Sequence, residues 1–137
     1  YKDKYKKYFS ESFLKKYKPE KYLTKPFKDY DKSVNKYKVK CGQTLEAWEK
    51  SKWIKEHDPY GWFEWYCNFY SGRRIKDEDE RQIKRWLKFA GDKGRFKKRL
   101  INMIKNKNTK YNDFTISPVI RQSLQHWGYQ LTAKDLK

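Results

Sequence analysis

Two groups of closely spaced cations could bind phosphate. The first group is Arg81, Lys84, Arg85 and Lys88, and the second is Arg95, Lys97, Lys98 and Arg99. Steps of three and four residues place the first group on one face of a helix, and the second group is crowded into the first turns of the next predicted helix. From the first cation to the last, only Asp92 is negative, whereas a solvated helix face normally mixes both signs. The pattern predicts contact with a polyanion, through phosphate contacts that position the protein without specifying a sequence.

Three polar side chains in the last predicted helix could read bases. Arg forks onto guanine and Gln onto adenine, and Arg121, Gln122 and Gln125 share the predicted outward face. A helix-turn-helix is not indicated, because the predicted loop from Lys105 to Ser117 is longer than the three or four residues of such a turn.

Arg73 and Arg74 follow directly after a run of aromatic residues. They are candidates for phosphate contact at the end of a helix. The alternative is structural, because arginines in this position also bind helix carbonyls or pair with nearby acids such as Asp77 and Asp79.

Residues typical of catalysis or metal binding are sparse. The candidate acids and bases are His57, Glu64, Asp77 and Asp79, and no nucleophile with a base and no phosphate-binding loop accompanies them. Cys41, His57, Cys67 and His126 include no close ligand pair such as Cys-x-x-Cys. We therefore expect no catalytic residue, metal or cofactor, and a nucleic-acid-modifying enzyme is kept as the second alternative.

The net charge indicates the class of partner. Lys and Arg number 35 against 17 Asp and Glu, a formal net charge of +18 over 137 residues. Such an excess favours nucleic acid over a neutral protein surface. Every arginine follows residue 72, and Arg binds phosphates and base edges with a fixed fork, so geometric recognition is expected in that part of the chain. We expect DNA rather than RNA as the partner.

The elements that must position these side chains are helical. Apolar periodicity predicts an all-α fold of five or six short helices in a compact bundle around an aromatic core. Asp58 as N-cap and Pro59 at the first helical position predict the start of an aromatic helix that ends at Gly72. Ser117 and Pro118 repeat this arrangement for the last helix.

Two further helices are predicted between these. One begins with four acids at 77–80, which complement the positive end of the helix dipole, and breaks at 91–94. The next one carries the second group of cations at its start.

The domain organisation is expected to change near residue 40. Residues 1–40 hold fourteen Lys and no Arg, and we interpret them as an ordered basic N-terminal extension with one amphipathic helix and a wrapping segment. The helix is expected to end before Pro19. Residues 41–137 are interpreted as the helical domain, and the extension as a possible contact with neighbouring subunits.

Part of the sequence resembles an uncharacterised protein family. The resemblance is carried by residues 58–74, 77–86, 117–122 and 126–129, and it covers roughly residues 45–130. Members share the pattern Pro-x-Gly-Trp-Phe-x-Trp-Tyr-Cys-x-Phe-Tyr-x-Gly-Arg-Arg and occur in bacteria, plants, fungi and large DNA viruses. The resemblance implies no activity, cofactor or partner.

Together these observations predict a nucleic-acid-binding protein with a basic helical surface. The alternative is a structural virion or chromatin-associated scaffold protein, whose extension contacts a neighbour. Few cysteines and many lysines are typical of an intracellular protein, with the nucleus or a virion as possible locations. No membrane contact is expected, since no apolar run approaches the roughly 18 residues of a membrane span.

Overall fold

The computed structural model describes residues 7–17 and 30–137. Within these ranges the chain forms six α-helices and no β-strand, so the predicted all-α class is confirmed. The helices are α1 (Glu11–Lys16), α2 (Leu45–Lys50), α3 (Trp62–Tyr70), α4 (Lys76–Phe89), α5 (Arg95–Asn106) and α6 (Pro118–His126). Short 3-10 helices cover Lys32–Val34 and Ala133–Leu136. Of the predicted N-terminal helix and wrapping segment, residues 1–6 and 18–29 lie outside the described residues.

The chain divides into two compact units. The first unit contains the described residues up to Val34 together with Gln43–Arg74, and the second unit contains Asn35–Gly42 and Ile75–Lys137. The two groups of cations in α4 and α5 therefore belong to the second unit, as does α6.

Helix α3 in the first unit begins later than predicted. Its N-cap is Gly61, so the assignment of Asp58 as N-cap and Pro59 as first helical residue was wrong. Asp58 is instead buried, where it accepts hydrogen bonds from Asn68 (2.9 Å) and from both terminal nitrogens of Arg73. A buried carboxylate requires such partners, and this requirement removes Asp58 from the helix end.

The second unit has an aliphatic centre with aromatic side chains around it. The buried cluster is Ala90, Leu100, Ile104, Ile120, Leu124 and Leu131. Phe89 is one of the partly buried aromatics at its edge, and its ring stacks on Phe96 at 4.1 Å and on Trp127 at 4.9 Å. An aromatic cluster is therefore present in this unit, and it surrounds an aliphatic innermost layer.

A tight glycine turn joins α4 to α5, as the break at 91–94 predicted. The amide of Gly94 donates to the carbonyl of Gly91 at 2.7 Å. A Cβ atom on Gly94 would lie 2.6 Å from the carbonyl carbon and oxygen of Phe89, so no larger residue fits without a backbone shift. This close approach packs α5 against α4.

A buried cation fixes the C-terminal segment to α5. Lys97 ion-pairs with Asp135 at 2.8 Å and with Asp92 at 2.9 Å, and the hydroxyl of Tyr129 donates to Asp135 at 2.6 Å. Burial lowers the pKa of Lys97, but the hydrogen bonds with Asp135, Tyr129 and Asp92 outweigh it, so the pKa lies well above its usual value. For Asp135, burial raises the pKa, and the bonds from Lys97, Tyr129 and Thr132 reverse this and depress it strongly.

The depressed pKa of Asp135 predicts an acid-dependent loss of stability. The carboxylate stabilises the fold above its unfolded pKa near 3.9, and this contribution disappears as the pH falls toward the folded pKa. Asp135→Asn should lower the free energy of unfolding by about 2 kcal/mol at pH 7, the value of a charged hydrogen bond. Urea titrations from pH 7 to pH 2 should show this difference shrinking below about pH 4.

Asp92→Asn is the matched control, because Asp92 binds the same lysine from a side chain that is 98% exposed. Asp92→Asn should lower the free energy of unfolding by less than about 0.5 kcal/mol. If the loss of unfolding free energy in Asp135→Asn does not change with pH, the ion pair between Lys97 and Asp135 is contradicted.

Candidate nucleic-acid interface

Three of the four predicted cations of α4 have side-chain partners on their own helix. Arg81 donates to both oxygens of the buried Glu78, at 2.8 and 2.6 Å, and Lys84 pairs with Glu80 at 3.4 Å. Lys88 is exposed and forms no ion pair with any described residue. The acids at the start of α4 therefore neutralise two of its cations locally.

Arg85 is held at the edge of the second unit. Its Nη1 donates to Gln82 Oε1 at 2.8 Å, and its guanidinium lies 5.2 Å from the centre of the Trp127 ring. Burial lowers the pKa of Arg85, and the neighbouring charge of Arg81 lowers it further. These contacts fix the guanidinium in position while leaving part of it exposed.

Helix α5 presents a continuous basic face to solvent. Its exposed side chains follow steps of three and four residues and include no acid; they are Arg95, Lys98, Arg99, Asn102, Lys105 and Asn106. We call this set the basic face of α5. None of its members forms an ion pair with a described residue, and Lys97 alone among the predicted α5 cations turns inward.

Sequence reasoning missed half of this face. Asn102, Lys105 and Asn106 were not among the predicted contacts, although they continue the same helical steps from Arg95 and Lys98. These three- and four-residue steps are a signal in the sequence that could have identified all three residues. Lys105 and Asn106 were missed because the segment after Ile104 was interpreted as a polar loop, whereas α5 extends to Asn106.

Arg121 in α6 is buried and organises the loop between α5 and α6. It donates 2.9 Å hydrogen bonds to three backbone carbonyls, those of Tyr111, Asp113 and Ile116. Burial lowers its pKa. The prediction that Arg121 faces solvent was wrong, because its guanidinium is buried and satisfies its donors on these three carbonyls inside the fold.

Gln122 is also buried, contrary to prediction. Its Oε1 accepts from the backbone amide of Tyr37 at 3.1 Å, and its Nε2 lies 3.2 Å from His126 Nε2. His126 Nδ1 in turn lies 3.3 Å from Cys41 Sγ. Gln125 is half-buried, and its Oε1 has no hydrogen-bond partner among the described residues. The three predicted base-reading side chains therefore do not form one exposed surface.

Arg73 and Arg74 both make their side-chain contacts within the first unit. Arg73 forms the ion pair with Asp58, and Arg74 donates to the carbonyl of Phe69 at 2.6 Å with its guanidinium 3.9 Å above that ring. The carbonyl-binding alternative for Arg74 is thus confirmed.

The candidate catalytic acids Glu64 and Asp79 accept hydrogen bonds from backbone amides at the starts of their helices. Glu64 accepts from Tyr60 at 3.0 Å, and Asp79 accepts from Ile75 at 2.7 Å. Cys41 and Cys67 are free, and burial raises the pKa of both thiols. Within the described ranges, no three His, Cys, Asp or Glu side chains are grouped as metal ligands, and no helix could cross a membrane.

No protein-family model, curated protein or solved structure matches the chain. The family resemblance of residues 45–130 therefore stays an expectation. The proposal for function is therefore based on the geometry and charge of the second unit.

The role of Arg121 can be tested by a conservative change. Arg121→Lys should lower the free energy of unfolding by about 2–3 kcal/mol, because one ammonium cannot replace a guanidinium bound to three carbonyls. Arg99→Lys makes the same substitution on the exposed face of α5 and should cost less than about 0.5 kcal/mol. Equal denaturation midpoints for the two variants would disprove the structural role of Arg121.

Proposed function

We propose that this chain binds nucleic acid, with duplex DNA as the preferred form, through the basic face of α5. The supporting observation is an exposed, acid-free face on a helix of twelve residues. A polyanion neutralises such a face and releases its own counterions, which gives favourable binding without any sequence requirement.

The position of these cations along the helix supports the same role. Arg95 and Lys98 lie in the first turn of α5, where the helix dipole is already positive. Each such cation costs a few tenths of a kcal/mol in the free protein. Phosphates bound at this end would remove the repulsion and would accept hydrogen bonds from both side chains.

Exposed lysines near both ends of α5 would enlarge the phosphate-binding surface. Lys93 lies in the glycine turn before the helix, and Lys107 and Lys110 follow it. Arg81, Lys84 and Arg85 contribute less in this proposal, because phosphate would compete with the partners they already have. The lysines of the N-terminal extension add general attraction.

Charge reversal on α5 tests the proposed interface. The variant Arg95→Glu, Lys98→Glu, Arg99→Glu, Lys105→Glu should lose at least 100-fold in affinity for duplex DNA at about 0.1 M salt. The salt slope of log K should fall by about 3–4, since each phosphate contact contributes about 0.9 to it. Fluorescence anisotropy across a salt series measures both quantities.

The matched control reverses four exposed lysines that are not part of the basic face of α5, at Lys32, Lys50, Lys55 and Lys134. Both variants change the net charge equally, so diffuse attraction weakens equally in both. Similar losses in the two variants would contradict a localised interface. Circular dichroism and thermal unfolding confirm that each variant is folded.

A second candidate role is a scaffold that contacts neighbouring subunits through its N-terminal extension. It is favoured by the exposed aromatic side chains around α1. Phe13 stacks on Phe9 and packs against Tyr17, with ring centres 4.7 Å apart in both cases. Phe13 is 38% exposed and Tyr17 is 44% exposed, and α1 buries no residue. A neighbouring subunit could cover this surface, and either role suits a nuclear or virion protein.

The scaffold role predicts that self-association depends on this aromatic surface. The variant Phe13→Ser, Tyr17→Ser should be more monomeric than the parent chain in sedimentation experiments, with unchanged DNA affinity. Phe114→Ser is the control, because Phe114 is an aromatic of the second unit that is at least as exposed as Phe13 and Tyr17. A parent chain that stays monomeric at high concentration would argue against the scaffold role.

A further inference from the structure

The basic face of α5 carries two uncharged amides, one of them near the middle of the helix. Asn102 and Asn106 are exposed, and neither side chain forms a hydrogen bond with any described residue. Asn102 lies one helical turn after Lys98 and Arg99 and one turn before Lys105. Phosphate binding alone has no need of an uncharged side chain at the middle of the contact surface.

An asparagine side chain in this position matches the edge of one base. Its amide offers a donor and an acceptor side by side, and adenine offers the complementary pair, N7 and N6–H, in the major groove of B-DNA. The edges of guanine, cytosine and thymine do not provide this pair. Asn102 could therefore distinguish adenine by two hydrogen bonds.

The dimensions of α5 suit the major groove. Its twelve residues span about 18 Å, and the groove is about 12 Å wide and admits an α-helix. The amides would lie over the base edges while Arg95, Lys98 and Lys105 lie near the phosphates on either side. The opposite face of α5 is buried through Leu100 and Ile104 and packs against α4, α6 and the 3-10 helix Ala133–Leu136.

The same geometry disfavours RNA as the ligand. The major groove of an A-form RNA duplex is too deep and narrow for side chains to reach the bases. Single strands are usually bound by stacking of bases on aromatic rings, and the basic face of α5 contains no aromatic residue.

We propose that α5 enters the major groove of duplex DNA and that Asn102 reads an adenine, with its amide donating to N7 and accepting from N6–H. This inference rests on the proposed function and adds sequence specificity to it. The cations supply affinity for any duplex, and Asn102 determines a preferred base at one position.

Selection from a random duplex-DNA library with the full chain tests the proposal. The parent chain should enrich sites that share an adenine at one position, with a preference over the other bases of roughly 5- to 150-fold. Asn102→Ala should remove this preference while changing affinity for random duplex DNA by less than about twofold, because no phosphate contact is lost. Alanine is also the better helix former, so the variant should fold.

Asn112→Ala is the matched control, since Asn112 is an exposed amide in the loop after α5. It should keep the preference of the parent chain. The proposal is overturned if Asn102→Ala keeps the same preferred base, or if Asn106→Ala alone loses it. It is also overturned if the parent chain prefers duplex RNA or a single strand.

The same experiment separates the two levels of inference. If the parent chain selects no sequence but the α5 charge reversal still abolishes duplex binding, the proposed function stands and the reading role of Asn102 fails. If the charge reversal and its matched control bind equally, both inferences fail together.

Discussion

The shortage of acceptors for positive charge determines how this fold uses its side chains. The chain has 35 Lys and Arg but only 17 Asp and Glu. A cation that loses water must gain a carboxylate or several carbonyls, because an unpaired buried charge costs several kcal/mol. The interior cations take the well-placed acceptors: Asp58 binds Arg73, Asp135 binds Lys97, and three loop carbonyls bind Arg121. The acids at the start of α4 bind the cations of the same helix. Helix α5 has no acid on its exposed face, so Arg95, Lys98, Arg99 and Lys105 are left without an ion-pair partner among the described residues.

The same requirement explains why the predicted contact residues Lys97 and Arg121 are buried. Arginine is the cation that a fold buries most readily, since its five donors can satisfy several acceptors at once. Lysine keeps its charge in water more easily. Arg121 and Arg73 were predicted to contact ligand because arginine has several donors. The same donors bind acceptors within the protein instead.

Local patterns predicted the elements well and their tertiary roles poorly. Pro118 at the first helical position, the acids in the first turn of α4 and the glycine break at 91–94 were all found, because helix ends are decided by nearby residues. The role of Asp58 was missed, because it depends on Arg73, fifteen positions away. The inward side of α6 was missed for a similar reason: the carbonyls that need Arg121 lie in a loop whose path the sequence does not reveal. Periodicity alone would have extended the contact surface to Asn102 and Lys105.

Helices α4 and α5 differ in whether their cations are paired within the fold or are free to bind a ligand. Both helices are rich in cations, and α4 begins with acids that favour its dipole and pair with its own arginine and lysine. Helix α5 begins with cations that oppose its dipole and have no acid to pair with on that face. The free protein is slightly destabilised by this arrangement, and a bound polyanion would reverse the sign of the effect. If nucleic acid binds this surface as proposed, the binding energy would include relief of repulsion that is already present in the free protein, which Arg81 and Lys84, paired within α4, do not offer.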